Sequence, residues 1–79
     1  MTRVVKFEAD WCGPCKAVQA YFDKNGFEVE RVNIDTNPEA AMEYKISSIP
    51  TVLVLENDQE INRIMGFNMA KLSELVKQA

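Results

Sequence analysis

Histidine is absent from this chain, and cysteine occurs only twice, as Cys12 and Cys15. With no histidine and no second cysteine pair, a complete zinc site would have to draw on carboxylates, so no metal is expected. No apolar run approaches the ~20 residues that a membrane span needs. Positive charge is not in excess either: 9 Lys and Arg stand against 12 Asp and Glu, a formal net charge of -3 with a pI near 4.8. That balance argues against nucleic acid or an anionic membrane as the main partner. Met1-Thr2-Arg3 leads straight into a strand pattern with no signal-peptide core, so the expected compartment is the reducing cytoplasm. Repeats, low-complexity tracts and interdomain linkers are missing too, and one domain is expected over residues 1–79. A chain this short buries only roughly 60% of its unfolded surface, so every element has to contribute to the core.

What is present centres on Trp11-Cys12-Gly13-Pro14-Cys15. An apolar, β-branched run (Val4-Val5-Lys6-Phe7) precedes it and a helical pattern follows it. A strand that delivers two thiols to the first turn of a helix is a redox arrangement. Unpaired N–H groups and the positive end of the macrodipole favour a thiolate there, and the thiolate is the nucleophile. Pro14 suits an opening helical position, because its fixed φ fits and its missing N–H would have gone unpaired. A structural staple is the bland alternative. A bridge between positions 12 and 15 closes so short a loop that it would stabilise the fold little, which favours redox chemistry.

Val4 to Glu8 reads as a strand. Cys15, Val18 and Phe22 fall at helical spacing, and Asn25-Gly26 stops that helix. Phe27 to Ile34 reads as the next strand, with one end more exposed. Thr36 and Glu39 have capping-box spacing, Pro38 fits the first turn, and Glu39 to Tyr44 is a short helix. Thr51 to Leu55 suits a strand buried on both faces. Asn57-Asp58 is a turn, and Glu60 to Met65 returns as an edge strand. The last helix carries Leu72, Leu75, Val76 and Ala79 on one stripe, capped by Asn68. The order β-α-β-α-β-β-α predicts an α/β fold: a four-stranded mixed sheet with helices on both faces. Its first two strands are parallel, joined by a right-handed crossover, and its last two form a hairpin.

These residues resemble the thioredoxin family, in a short form of glutaredoxin length. Ala9-Asp10-Trp11-Cys12-Gly13-Pro14-Cys15-Lys16 looks like the family's active-site signature. Asn33-Ile34-Asp35, Asn37-Pro38 and Ile49-Pro50-Thr51 look like its later landmarks in the right order, and Gly66 falls where the family keeps a glycine facing the site. The resemblance covers nearly the whole chain, and it differs from full-length members by lacking an N-terminal strand and helix. It implies the thioredoxin/glutaredoxin-like fold, with Cys12 as exposed attacking thiol and Cys15 as the more buried resolving thiol. It also implies a cis Pro50 packed against the disulfide. The main chain of Ile49 could then pair with an extended substrate segment as an added strand. Trp11, Gly13, Pro14, Ile49, Gly66 and Phe67 would make an apolar docking surface. Beside these stand plainer readings: Trp11 or Phe67 as core, Pro50 as a trans strand opener, and Gly66 as a simple turn.

Two positions depart from the family. The buried acid usually found six residues before the first cysteine, thought to take the resolving thiol's proton, is here Lys6, and the lysine coupled to it is Arg31. Glu8 shares the side-chain parity of Lys6 and could substitute for the acid. Lys6 could instead lower a thiol pKa, or both could be a solvated strand face. The resemblance implies a monomeric protein disulfide reductase acting on disulfide-containing proteins without a cofactor. Its electrons would come from a thioredoxin reductase or glutathione. The Gly-Pro pair resembles the reducing members, whose potentials lie near roughly −270 mV. The rivals are a glutathione-recharged glutaredoxin, a non-catalytic docking subunit, and a cluster-binding dimer with Cys12 as ligand.

Overall fold

The apolar run at Thr51–Leu55 sits at the middle of the sheet, buried at every position. The computed structural model describes residues 1–78, in the order β1 (Thr2–Glu8), α1 (Gly13–Lys24), β2 (Glu30–Asn33), α2 (Pro38–Glu43), β3 (Thr51–Glu56), β4 (Gln59–Met65) and α3 (Met69–Gln78). The sheet order is β2-β1-β3-β4. β1 and β2 are parallel and linked through α1, while β1–β3 and β3–β4 are antiparallel. Asn57 and Asp58, at φ 52° and 68°, supply the two left-handed residues that a tight hairpin needs. The β4 register slips by one residue between Val54 and Leu55, and Ile61 of that stretch is exposed.

Alternation along the strands divides the core into two layers. On one face Val18 and Phe22 of α1 meet Val52 of β3, Ile64 of β4 and Leu72 of α3. On the other, Val5, Phe7, Leu53 and Leu55 pack against Ala40, Ala41 and Tyr44 at α2. Helices therefore cover both faces. The buried residues of α1 are Cys15, Val18 and Phe22, the stripe expected from their spacing.

Some boundaries differ from the sequence reading. β2 spans four residues, not Phe27 to Ile34. Gly26 takes φ 64°, and the Phe27 N–H turns back to the Phe22 carbonyl at 2.9 Å, so the chain is still closing off α1 there. Phe27 packs on Phe22 (ring centroids 5.3 Å apart) instead of joining the ladder. The α2 cap is Asn37, whose side chain accepts the Ala40 N–H at 3.3 Å. Thr36 instead donates its hydroxyl to the Asn33 carbonyl, so no capping box forms with Glu39. Asn68 does cap α3, accepting the Lys71 N–H at 3.1 Å. Ala79 lies outside the described residues.

Candidate active site

β1 ends at Glu8, and Ala9 to Cys12 carry the chain into α1. The Cys12 N–H donates to the Ala9 carbonyl at 3.2 Å, and the Lys16 N–H donates to the Cys12 carbonyl at 3.3 Å. Cys12 is the N-cap of α1, with extended backbone (φ −91°, ψ 107°). Its Sγ accepts the Cys15 N–H at 3.1 Å. A sulfur thus occupies the place where a capping oxygen usually sits, facing the N–H groups that a helix start leaves unpaired. Pro14 occupies the first turn, where it removes no needed donor. Cys12 and Cys15 are joined as a disulfide with Cα atoms 5.3 Å apart. Cys12 was expected to be exposed, yet it is only 5% exposed, against 1% for Cys15. The order of burial stands. The openness does not, because Ile34 and Ile49 pack over the Ala9–Cys12–Cys15 cluster.

The Ile49–Pro50 bond is cis and Pro50 is buried. Gly66, at φ 72°, donates its N–H to the Pro50 carbonyl at 2.9 Å, which ties the end of β4 to the proline loop. Trp11 is 69% exposed and Phe67 43%, so neither is core. Trp11, Ile34, Ile46, Ser47, Ser48 and Ile49 line a groove of about 270 Å³. Gly66 and Phe67 are not part of its wall. The Trp11 indole N–H donates to the Asp35 carboxylate at 2.9 Å. Asp35 was given no role from the sequence. Its place in the Asn33-Ile34-Asp35 landmark was the available signal.

Lys6 and Glu8 are not a solvated face. Lys6 is 1% exposed and Glu8 9%. Lys6 Nζ donates to Glu8 Oε1 at 2.6 Å and to Gln19 Oε1 of α1 at 3.1 Å. Arg31 of β2 grips Glu8 from the other side, its Nε 3.0 Å and its second guanidinium nitrogen 2.9 Å from Oε2. Burial lowers the Lys6 ammonium from its ordinary range, against the attraction of Glu8. Burial also pushes the Glu8 carboxyl upward, but the hydrogen bonds from Arg31 and Lys6 outweigh it and hold Glu8 below the usual carboxylate range. Lys6, Glu8 and Arg31 share the wall of one pocket with Ala9, Asp10, Cys15 and Lys16.

The thioredoxin family model matches residues 1–78. The thioredoxin of Mycoplasma pneumoniae is 41% identical over 95% of this chain and 79% of its own length. A prophage-derived thioredoxin-like protein, YosR, of Bacillus subtilis is 34% identical over 96% of both chains. The bifunctional thioredoxin reductase/thioredoxin of Mycobacterium leprae is 39% identical over 80% of this chain and 15% of its own length. Among solved structures, the thioredoxin of Malassezia sympodialis superposes with a TM-score of 0.86 at 31% identity, over 98% of this chain and 75% of the other. A glutaredoxin is not favoured by any of these. A helix-capping sulfur bonded to a partner three residues on, in this fold and among these relatives, means that the chain belongs to the thioredoxin family and is a thiol–disulfide oxidoreductase, a protein disulfide reductase working through Cys12 and Cys15.

Proposed function

We propose that residues 1–79 form a single domain that reduces protein disulfides with Cys12 as the attacking and Cys15 as the resolving thiol. The observation that carries this order is the Cys12 sulfur at the helix cap, accepting the Cys15 N–H. A negative charge on Cys12 meets the helix start directly, and the effect falls off within the first turn. Cys12 thiolate attacks a substrate sulfur and the substrate's other sulfur leaves as thiolate. Cys15 thiolate then attacks Cys12, the Cys12–substrate bond breaks, and the reduced substrate departs.

Gly13 and Pro14 keep the surface beside the sulfurs low, and both are exposed. The substrate chain runs past Trp11 and Ile49 next to Pro50, with Gly66 and Phe67 extending the surface. The exposed Trp11 ring and the apolar groove beside Ile49 support this path. The relative that joins reductase and thioredoxin in one chain supports a thioredoxin reductase, not glutathione, as the electron source. The protein acts as a monomer in the cytoplasm, a compartment reducing enough to suit a donor of electrons. No helix among the described residues is long and apolar enough to cross a membrane.

The test is insulin reduction coupled in turn to a thioredoxin reductase and to glutathione. Cys12→Ser should abolish turnover, and Cys15→Ser should trap mixed disulfides with substrate. Turnover that survives in Cys12→Ser would reverse the assigned order.

A further inference from the structure

A fully buried lysine is rare unless it is paired, and Lys6 is paired with Glu8 beside it on β1 and with Gln19 of α1. Gln19, one of its partners, lies four residues beyond Cys15 and so on the same face of α1. The ammonium therefore lies along the helix face that carries the resolving sulfur, inside a pocket of about 280 Å³ that both help to line. Glu8 is the one carboxylate in this wall that is buried, and both of its oxygens are occupied. Oε1 accepts from Lys6 and, at 3.1 Å, from Arg31 Nε, and Oε2 accepts from Arg31. A carboxylate gripped by two cations is a weak base, so Glu8 is badly placed to receive a thiol proton.

We propose that the Lys6–Glu8–Arg31 chain prepares Cys15 by charge: Arg31 ties up Glu8 from the far side, and the buried Lys6 ammonium, on the helix face that carries the sulfur, stabilises the Cys15 thiolate, whose proton leaves to water in the pocket and not to a carboxylate. The inference rests on the assignment of Cys15 as resolving thiol. Lys6 is a positioning residue that acts through Cys15, since it touches neither substrate nor the Cys12–substrate bond. The step balances as follows. Cys15 S–H loses H⁺ to water, its sulfur bonds to Cys12 Sγ, and the substrate sulfur leaves with the electron pair and is protonated by solvent. The two cysteines end oxidised and the substrate reduced.

The other charges around the pocket do not reverse this. Asp10 from the β1–α1 connection and Lys16 from α1 also line it, with opposite signs, and both are exposed. Asp23, further along α1, is exposed and bonded to the Gln19 amide at 2.9 Å. Solvent screens these exposed charges, and the exposed Arg31 with them, far more than the buried Lys6 and Glu8, so Lys6 carries the effect.

The sign of the effect separates charge from base. In a Cys12→Ser background, Cys15 is titrated by the pH dependence of its alkylation, with and without Lys6→Met and Glu8→Gln. Lys6→Met should raise the Cys15 pKa by about one unit, because a nearby cation is removed. Glu8→Gln should lower it or leave it, because an anion is removed. In the two-cysteine protein, stopped-flow reaction with dithiobis-nitrobenzoate releases a second thionitrobenzoate when Cys15 attacks. A tenfold loss of thiolate, partly offset by the greater nucleophilicity of a more basic sulfur, predicts that Lys6→Met slows this release about threefold at neutral pH. Purely structural damage would not raise the Cys15 pKa in Lys6→Met while lowering or sparing it in Glu8→Gln. An unchanged Cys15 pKa in Lys6→Met overturns the proposal, and so does a slowed second release in folded Glu8→Gln, which would make Glu8 the base. Should Glu8→Gln fail to fold, Lys6→Met alone decides. If the wild type reduces insulin while these titrations fail, only the charge inference falls. If Cys15→Ser traps no substrate, the underlying assignment falls with it.

Discussion

Replacing Glu8 with Gln should be the most damaging single polar change among these buried groups, and its size can be worked out. Lys6, at 1% exposure, would lose the attraction that holds its charge against burial and be left with only Gln19 and a neutral amide for company. Breaking a buried ion pair by removing one partner costs about 3–5 kcal/mol, because the remaining charge goes uncompensated. Two neutral oxygens still accept from Lys6, which trims the figure to about 2–3 kcal/mol. A domain of this length has a total stability of about 4–12 kcal/mol, so the loss is a large fraction. With a urea m-value of about 1 kcal/mol/M for so small a protein, the unfolding midpoint should fall by about 2–3 M. Lys6→Met makes the opposite case. Glu8 keeps the Arg31 fork, the methionine fills the slot left by the lysine stem, and the cost should stay within about 1 kcal/mol. Equilibrium urea unfolding followed by circular dichroism measures both. Equal losses in the two variants, or a Glu8→Gln midpoint within experimental error of wild type, would refute the claim that Lys6 depends on Glu8.

Acid should expose the same pair: Glu8 titrates below its unfolded value, so its contribution is complete above about pH 4.3 and is lost as pH falls through the lower folded value. The stability gap between wild type and Glu8→Gln should therefore shrink in urea titrations run below about pH 4. Asp35→Ala removes the anchor of the Trp11 indole while leaving both elements in place. Insulin reduction should lose kcat/KM several-fold, with an unfolding free energy within about 1 kcal/mol of wild type. Asn68→Ala should cost about 1 kcal/mol by uncapping α3, read as a shift of the urea midpoint at unchanged m-value.

Local patterns in the chain were legible, and long-range pairings were not. Cys15, Val18 and Phe22 announce the buried stripe of α1 because helical spacing is a property of neighbours in sequence. Thr51 to Leu55 announces a central strand for the same reason. Phe27 to Val29 misled, since an apolar residue reads alike whether it extends a strand or folds back to cap the preceding helix. Thr36 misled as a cap because Asn37, one residue on and before the same proline, does that task at least as well. Lys6 could be placed on the Val4–Glu8 parity but not in its environment. Its partner Gln19, and the Arg31 that holds Glu8 from the other side, come from elements brought together by the parallel β1–β2 pairing over α1. The Trp11–Asp35 bond spans the same crossover.

That division between local and distant information also separates the two sulfurs. Cys12 takes its help from the helix it caps, through N–H groups fixed by the motif itself. Cys15 also belongs to the first turn, yet it is 1% exposed, and burial alone raises a thiol's pKa. The helix start therefore works against desolvation at Cys15, without the direct capping contact that Cys12 has. A second source of positive charge is needed for a resolving thiolate at neutral pH. On the strand side of the pocket the buried Lys6 can supply it, with Glu8 held from its far side by Arg31. On this proposal the motif makes the first attack possible, and Lys6 on the sheet beneath it sets how fast the second one follows.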